Sequence, residues 1–187
     1  MEDGYSGRLT LLLCRTTQAW ADRPVAVPSV VLRVLAPDDW ELWRELRLRA
    51  LAEAPYAFGS TLAEWTGKGD TEERWRNRLS SVPLNLVASL NEKPVGMASA
   101  TSPVDHQIEL ISMWVAPEAR GRGVGAALIE AIVVWAFEQH VFQVALDVRE
   151  GNMRAINLYK RLGFVDVGLA TNSEGGAPER RMLRLLR

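Results

Sequence analysis

Arg120-Gly121-Arg122-Gly123-Val124-Gly125-Ala126 lies between an apolar, strand-like run (Ile108 to Ala116) and a helix-like run (Ala127 to Glu138). Three glycines alternate with two cationic side chains and a valine. Glycine reaches backbone conformations closed to other residues and lets a ligand come close to the main chain. A turn whose amides run straight into a helix N-terminus is a ready anion site. The stretch therefore reads as a phosphate grip on a strand–turn–helix unit, and the rest of the chain has to supply a sheet for it.

On the N-terminal side, Val30 to Leu35 is a β-branched run that predicts a first strand. Pro37, Asp38 and Asp39 give a helix start, with proline in the first turn and acids at the positive dipole end. Trp43, Leu46 and Ala50 then recur at helical spacing, so a helix is expected to about Glu53, where Pro55 stops it. Tyr56 to Gly69 reads as loop or broken helix. Thr71 opens a second helix reaching about Leu79. Leu86 to Leu90 and Val95 to Thr101 read as strands joined by the Asn91-Glu92-Lys93-Pro94 turn. Beyond the glycine stretch, the helix buries Val124, Leu128, Ala131 or Ile132, and Trp135. A strand over Phe142 to Val148, a short helix over Met153 to Arg161, and strands at Val165 to Leu169 and Arg181 to Leu186 complete the chain. Strands and helices in this order imply a mixed sheet with helices packed on it, α+β in class.

At 187 residues the sequence fits one domain, and such a length buries roughly 70% of the surface its unfolded chain exposes. Apolar residues make up 48% and charged residues 24%, which is ordinary for a globular protein. A net charge of −1 offers no general attraction to nucleic acid or to an anionic membrane. Cys14 is the single cysteine, and His106 and His140 are the two histidines, so neither a disulfide nor a metal site is expected. Leu11-Leu12-Leu13-Cys14 faintly resembles a lipoprotein processing site, but its apolar run is short. No stretch approaches the ~20 apolar residues of a membrane span. The expectation is a cytoplasmic protein with residues 1–29 as an extension and residues 30–187 as the domain.

Two readings compete for the glycine stretch. Gly121, Gly123 and Ala126 satisfy the dinucleotide pattern G-x-G-x-x-G/A, with Asp147 about twenty residues further on. That pattern belongs to the first unit of a repeating βαβαβ fold, and here strands and two helices precede it without a second half following. The other reading starts from Arg120-x-x-Gly123-x-Gly125, which resembles the pyrophosphate loop of the GNAT N-acetyltransferase superfamily. Downstream, Asn152-Met153-Arg154-Ala155-Ile156-Asn157-Leu158-Tyr159-Lys160-Arg161-Leu162-Gly163-Phe164 resembles the second cofactor motif of that family: Asn, then Ala-x-x-Leu-Tyr, then Gly-Phe. The likeness covers about residues 30 to 187.

The resemblance implies a mixed, mostly antiparallel sheet of six or seven strands, flanked by about four helices and splayed at a cofactor slot. It implies acetyl transfer from acetyl-CoA to a primary amine, on a small molecule or on a peptide or protein, by direct attack in a ternary complex. A GNAT-fold module that binds coenzyme A without efficient transfer is the alternative, and a homodimer is compatible with the family. The amides of Arg120, Gly121, Arg122, Gly123, Val124, Gly125 and Ala126 would face the pyrophosphate, with either arginine adding charge or pointing to solvent. The strand edge at Met113, Trp114 and Val115 would pair with the pantetheine arm. Asn152 and Ala155 would lie on the cofactor, Asn152 serving equally well as a helix N-cap. Tyr159 would protonate the departing thiolate, or else simply pack between helix and sheet.

A base is also needed, because an alkylamine of pKa ~10 arrives protonated. Glu109 lies eleven residues before Arg120, the spacing at which histone-acetylating family members carry a glutamate base. Strand alternation places Glu109, Ile111 and Met113 on one face. His106 and Asp105 are reserve candidates. For the acceptor, Tyr56, Phe58 and Trp65 with the acids Glu53 and Glu64 would suit a cationic amine, unless the aromatics are core and the acids solvated.

Overall fold

The computed structural model describes residues 30–170 and 177–186. Cys14, the rest of residues 1–29 and most of the turn after Ala170 lie outside the described residues. Seven strands form one sheet in the order β1-β2-β3-β4-β5-β7-β6. They are β1 (Val30–Val34), β2 (Leu84–Leu90), β3 (Lys93–Ala100), β4 (Gln107–Val115), β5 (Gln143–Arg149), β6 (Val165–Leu169) and β7 (Glu179–Leu185). Among the described residues four α-helices accompany it: α1 (Trp40–Glu53), α2 (Glu72–Ser81), α3 (Val124–Glu138) and α4 (Met153–Arg161). This is the mixed, helix-flanked α+β sheet expected from the sequence.

Local chemistry sets the boundaries. Pro37–Asp39 forms a separate 3-10 turn that leads directly into α1. Thr71 caps α2, its hydroxyl accepting from the Arg74 amide at 3.3 Å. Between these helices the chain breaks into three short 3-10 turns, at Pro55–Ala57, Ala63–Trp65 and Gly67–Gly69. The β2–β3 hairpin closes through Asn91 and Glu92, both at positive φ, as a two-residue turn requires when it follows the strand twist. The core runs continuously from Trp43 and Trp75 through Met97, Ile108 and Leu128 to Leu146 and Met182. α3 buries a wider stripe than its spacing suggested, adding Ile129, Val133 and Ala136, while Trp135 is only partly covered.

Two irregularities in β4 position everything that follows. The first is a bulge. Ser99 faces Ile111 and Met97 faces Trp114, so Ala98 alone is matched by both Ser112 and Met113. Ser112 takes φ +55° to accommodate the extra residue. Opposed residues share a face, so Ile111 and Trp114 lie together and Met113 lies on the other side. Simple alternation, which grouped Met113 with Glu109 and Ile111, is therefore corrected: the bulge turns Met113 toward α3. Trp114 instead faces α1, where its indole donates to Glu53 at 2.9 Å.

The second irregularity is where pairing stops. Among the described residues β4 and β5 are the one parallel pair, and they match only at Gln107–Gln143, Ile108–Val144 and Glu109–Ala145. Beyond Glu109, β4 continues against β3 and β5 continues against β7. The sheet splays there into a wedge.

Candidate active site

The wedge opens into a cleft of about 1030 Å³. One end is framed by the loop before α3 and by α4, the other by α1 and the turn after it. Glu109 through Val115 run along its floor.

At the first end the loop is shaped by glycine. Gly121 and Gly123 sit at φ +76° and +82°, and a Cβ on either would meet nothing within 4 Å. The conformation requires glycine there, and the space beside it stays open. Gly125 is different. A Cβ at that position would lie 2.9 Å from Leu158 Cδ2 and 3.4 Å from Met113 Cε, so its bareness lets α3 and α4 approach each other. Gly123 caps α3 without any side-chain acceptor. The first helical amides therefore keep no side-chain partner, and the 15-residue helix adds its dipole. This cradle fits a pyrophosphate.

Gly121, Gly123, Gly125 and Ala126 line the cleft. Arg122 is exposed on the loop, and Val124 points into the core, beside the position a Cβ on Gly96 would take. Arg120 lines the cleft, but its guanidinium is engaged. Nε donates to the Val115 carbonyl at 2.8 Å and Nη2 to Glu53 at 2.6 Å. The Ala116 amide bonds to Val95, so Val115 turns its own N–H and C=O toward the wedge. Arg120 thus covers one of the main-chain groups on the lip of β4. Partial burial pushes the Glu53 carboxyl up, but hydrogen bonds from Arg120 and Trp114 outweigh it and hold it below the usual carboxylate range. Glu53 is therefore a clasp between α1 and the glycine loop.

α4 supplies the side chains at this end. Asn152 caps it, its Oδ1 accepting from the Ala155 amide at 3.2 Å, and both residues line the cleft. Tyr159 is buried, its ring tilted against Phe164 at 5.8 Å, and it also lines the cleft. Burial pushes its phenol above the ordinary tyrosine value, which keeps the proton on the oxygen at neutral pH.

Glu109 stands at the point where the strands part, 41% exposed at its side chain. Arg181 donates to it at 2.6 Å and to Asp147 at 3.0 Å, so one guanidinium bridges carboxylates from β4 and β5. The reserve bases are elsewhere. Asp105 and His106 form a positive-φ turn at the closed end of the β4–β5 pair, with His106 stacked on Phe142, and neither lines the cleft.

At the second end, Tyr56 and Phe58 line the cleft. Glu64 does not; its carboxylate accepts from the Thr61 amide at 3.2 Å within a local turn. Trp65 packs on Trp75 and under Arg74, away from the cleft. With Glu53 committed to its clasp, neither acid expected for a cationic acceptor faces the opening. What stands there instead is Arg47 from α1, hydrogen-bonded to Ser60 at 2.8 Å, with its guanidinium carbon 4.5 Å from the centre of the Phe58 ring. Next to it Arg78 binds three neutral oxygens, of Asn85, Ser99 and the bulged Ser112. Sequence reasoning passed over both arginines. Yet each interrupts an apolar stripe, Trp43-Arg47-Leu51 on α1 and Trp75-Arg78-Leu79 on α2, and a cation at such a position is the available signal.

Comparison with known proteins agrees with this architecture. The family model described as "Acetyltransferase (GNAT) family" matches residues 40–164. A mycothiol acetyltransferase of Pseudarthrobacter chlorophenolicus is 30% identical over 168 residues, covering 86% of this chain and 51% of that protein. The chain spans about half or less of the length of the first curated relatives it matches, from 38% to 53%. Among solved structures, a GNAT-family acetyltransferase from Streptococcus pneumoniae superimposes with a TM-score of 0.68 at 22% identity, over 84% of this chain and all of that one. A PaiA N-acetyltransferase from Thermoplasma acidophilum, crystallised in complex with coenzyme A, gives 0.66 at 16% identity, over 84% of this chain and 99% of that one. At such identities these two likenesses show the fold. No helix among the described residues is long and apolar enough to cross a membrane.

Proposed function

This chain belongs to the acetyltransferase (GNAT) family, and from that premise we propose that it moves an acetyl group from acetyl-CoA to a primary amine within a ternary complex. One observation carries the reading: the wedge between β4 and β5 has an open glycine cradle at one end and a buried tyrosine in its wall. Acetyl-CoA supplies the activated acyl group, as a thioester. The loop amides from Gly121 to Ala126 hold its pyrophosphate, and the lip of β4 at Met113 to Val115, with Asn152 and Ala155, guides its arm toward Tyr159.

The protein's own residues then handle two protons. Once an arriving ammonium has shed one proton to solvent, Glu109 takes one from the neutral amine nitrogen, directly or through water, as that nitrogen bonds the acetyl carbon. Tyr159 Oη gives the other to the sulfur as the carbon–sulfur bond breaks, and recovers it from solvent. No covalent acyl-enzyme is required. Residues 30–187 form the catalytic domain in this reading, residues 1–29 an extension, and the cytoplasm is its setting.

The test is thiol release from acetyl-CoA across polyamines, aminoglycosides, amino acids and peptides. Turnover with any of these supports the reading. Tight coenzyme A binding without release in any case would make the protein a binding module instead.

A further inference from the structure

Arg47 is 9% exposed and lines the cleft, yet its Nη1 is buried without a hydrogen-bond partner. Its other amino group, Nη2, is held by Ser60, and the Phe58 ring sits against the guanidinium. No carboxylate among the described residues forms an ion pair with Arg47 or with Arg78. Burial pulls both guanidinium groups down to about 10, with the Arg78 charge adding to the effect on Arg47. Both therefore stay cationic at neutral pH. A buried charge without a counter-charge is costly, and proteins rarely keep one unless something arrives to pair with it. The remaining donors describe that visitor. Nη1 is one free arm of the fork, and the Ser60 hydroxyl, which accepts from Arg47, has its own proton left to give. Two donors side by side match the two oxygens of a carboxylate.

We propose that Arg47 and Ser60 form a carboxylate subsite, so that the acetyl acceptor is a small amine that also carries a carboxylate, an amino acid in the chemical sense. The assignment rests on the acetyltransferase reading and specifies its acceptor. It replaces the acidic, cation-binding wall expected from sequence with a cationic one. Aromatic Tyr56 and Phe58 remain as the apolar flank of the same pocket.

The experiment uses matched sets: α-amino acids, the same amines without the carboxylate, and aminophosphonates of the same skeleton. With the wild-type protein, kcat/KM for the amino acid should exceed that for its decarboxylated partner by about a hundredfold, the scale of a lost charge-assisted hydrogen bond in a buried site. Arg47→Gln should bring the ratio close to one and leave coenzyme A affinity unchanged; Arg47→Lys should restore part of it. Calorimetric titration of N-acetyl amino acids into protein loaded with coenzyme A should give binding in the wild type and none in R47Q. Should R47Q not fold, Ser60→Ala keeps the arginine in place and should lower the ratio about tenfold. Equal use of amine and amino acid, preference for the phosphonate, or discrimination that survives R47Q would each overturn the assignment. If no amine of any kind is acetylated although coenzyme A binds, the acetyltransferase reading fails, and the calorimetric arm alone decides the carboxylate subsite.

Discussion

The two ends of the cleft are made of different material. The end under α3 is built from main chain: glycines at positive φ, uncapped helix amides and a strand lip, all within residues 113–126. The end under α1 is built from side chains drawn from separate parts of the chain, Arg47 of α1, Phe58 and Ser60 after it, and Ser112 of β4. Backbone recognition suits a part every transfer shares, since any sequence with the same turn can provide it. Side-chain recognition suits a part that differs between proteins, because one substitution rewrites it. On the proposed reading, donor and acceptor would thereby be handled by structures with different tolerance to mutation.

The sharpest way to test the division is at its boundary, in Tyr159. Tyr159→Phe keeps the ring against Phe164 and removes only the proton donor, so kcat should fall about 10²- to 10³-fold with coenzyme A affinity nearly unchanged. Isothermal titration beside steady-state kinetics separates the two; an unaltered kcat removes Tyr159 from the chemistry. Next comes the main-chain end. Gly123→Val forces a β-branched residue into a left-handed conformation at the helix cap, and coenzyme A should bind about tenfold more weakly or worse. Unchanged affinity would mean that the loop amides are not the grip.

Acid should loosen the packing of α1 on α2, the two helices that carry Arg47 and Arg78. Asp70, held by Arg44 at 2.6 Å and by the Trp75 indole, has its carboxyl pulled down to about 2, with the Arg44 hydrogen bond as the largest cause. Its folded pKa lies below the unfolded value, so its contribution is present above about pH 4 and lost as pH falls toward 2. Because the side chain is partly exposed, the loss should be about 1 kcal/mol. Denaturant unfolding across that window should show it, and Asp70→Asn should flatten that part of the acid limb; a profile identical to wild type would refute the assignment. The smallest effect belongs to Arg122→Ala. If backbone holds the pyrophosphate, an exposed loop arginine should change coenzyme A affinity by less than about threefold. A much larger loss would place the grip in side chains after all.

What was legible in the sequence follows the same division. Periodicity and turn residues predicted the seven strands and four helices, because each depends on neighbours a few positions away. The glycine stretch and the Asn152–Phe164 segment were legible for the same reason: their chemistry is contiguous. The bulge at Ser112 was not, since a serine carries no mark of positive φ and the extra residue appears only against β3. Glu53 read as a candidate acceptor-binding acid until α1 brought it beside Trp114 and Arg120, 61 and 67 positions away. Arg47 required seeing that a cation within an apolar helical stripe is an anomaly, and Ser60 required knowing where the turn after α1 folds back.

The short seam between β4 and β5 has a mechanical consequence. Three matched pairs join one half of the sheet, β1 to β4, directly to the other, β5 to β7 with β6. Past that seam the sheet has a crack whose two edges are not paired to each other, and a thin, amide-bearing molecule lying in it would bridge the halves like a dowel. Filling the crack should therefore raise the melting temperature of the whole protein and slow amide exchange along β4 and β5 together, binding and cohesion being one event.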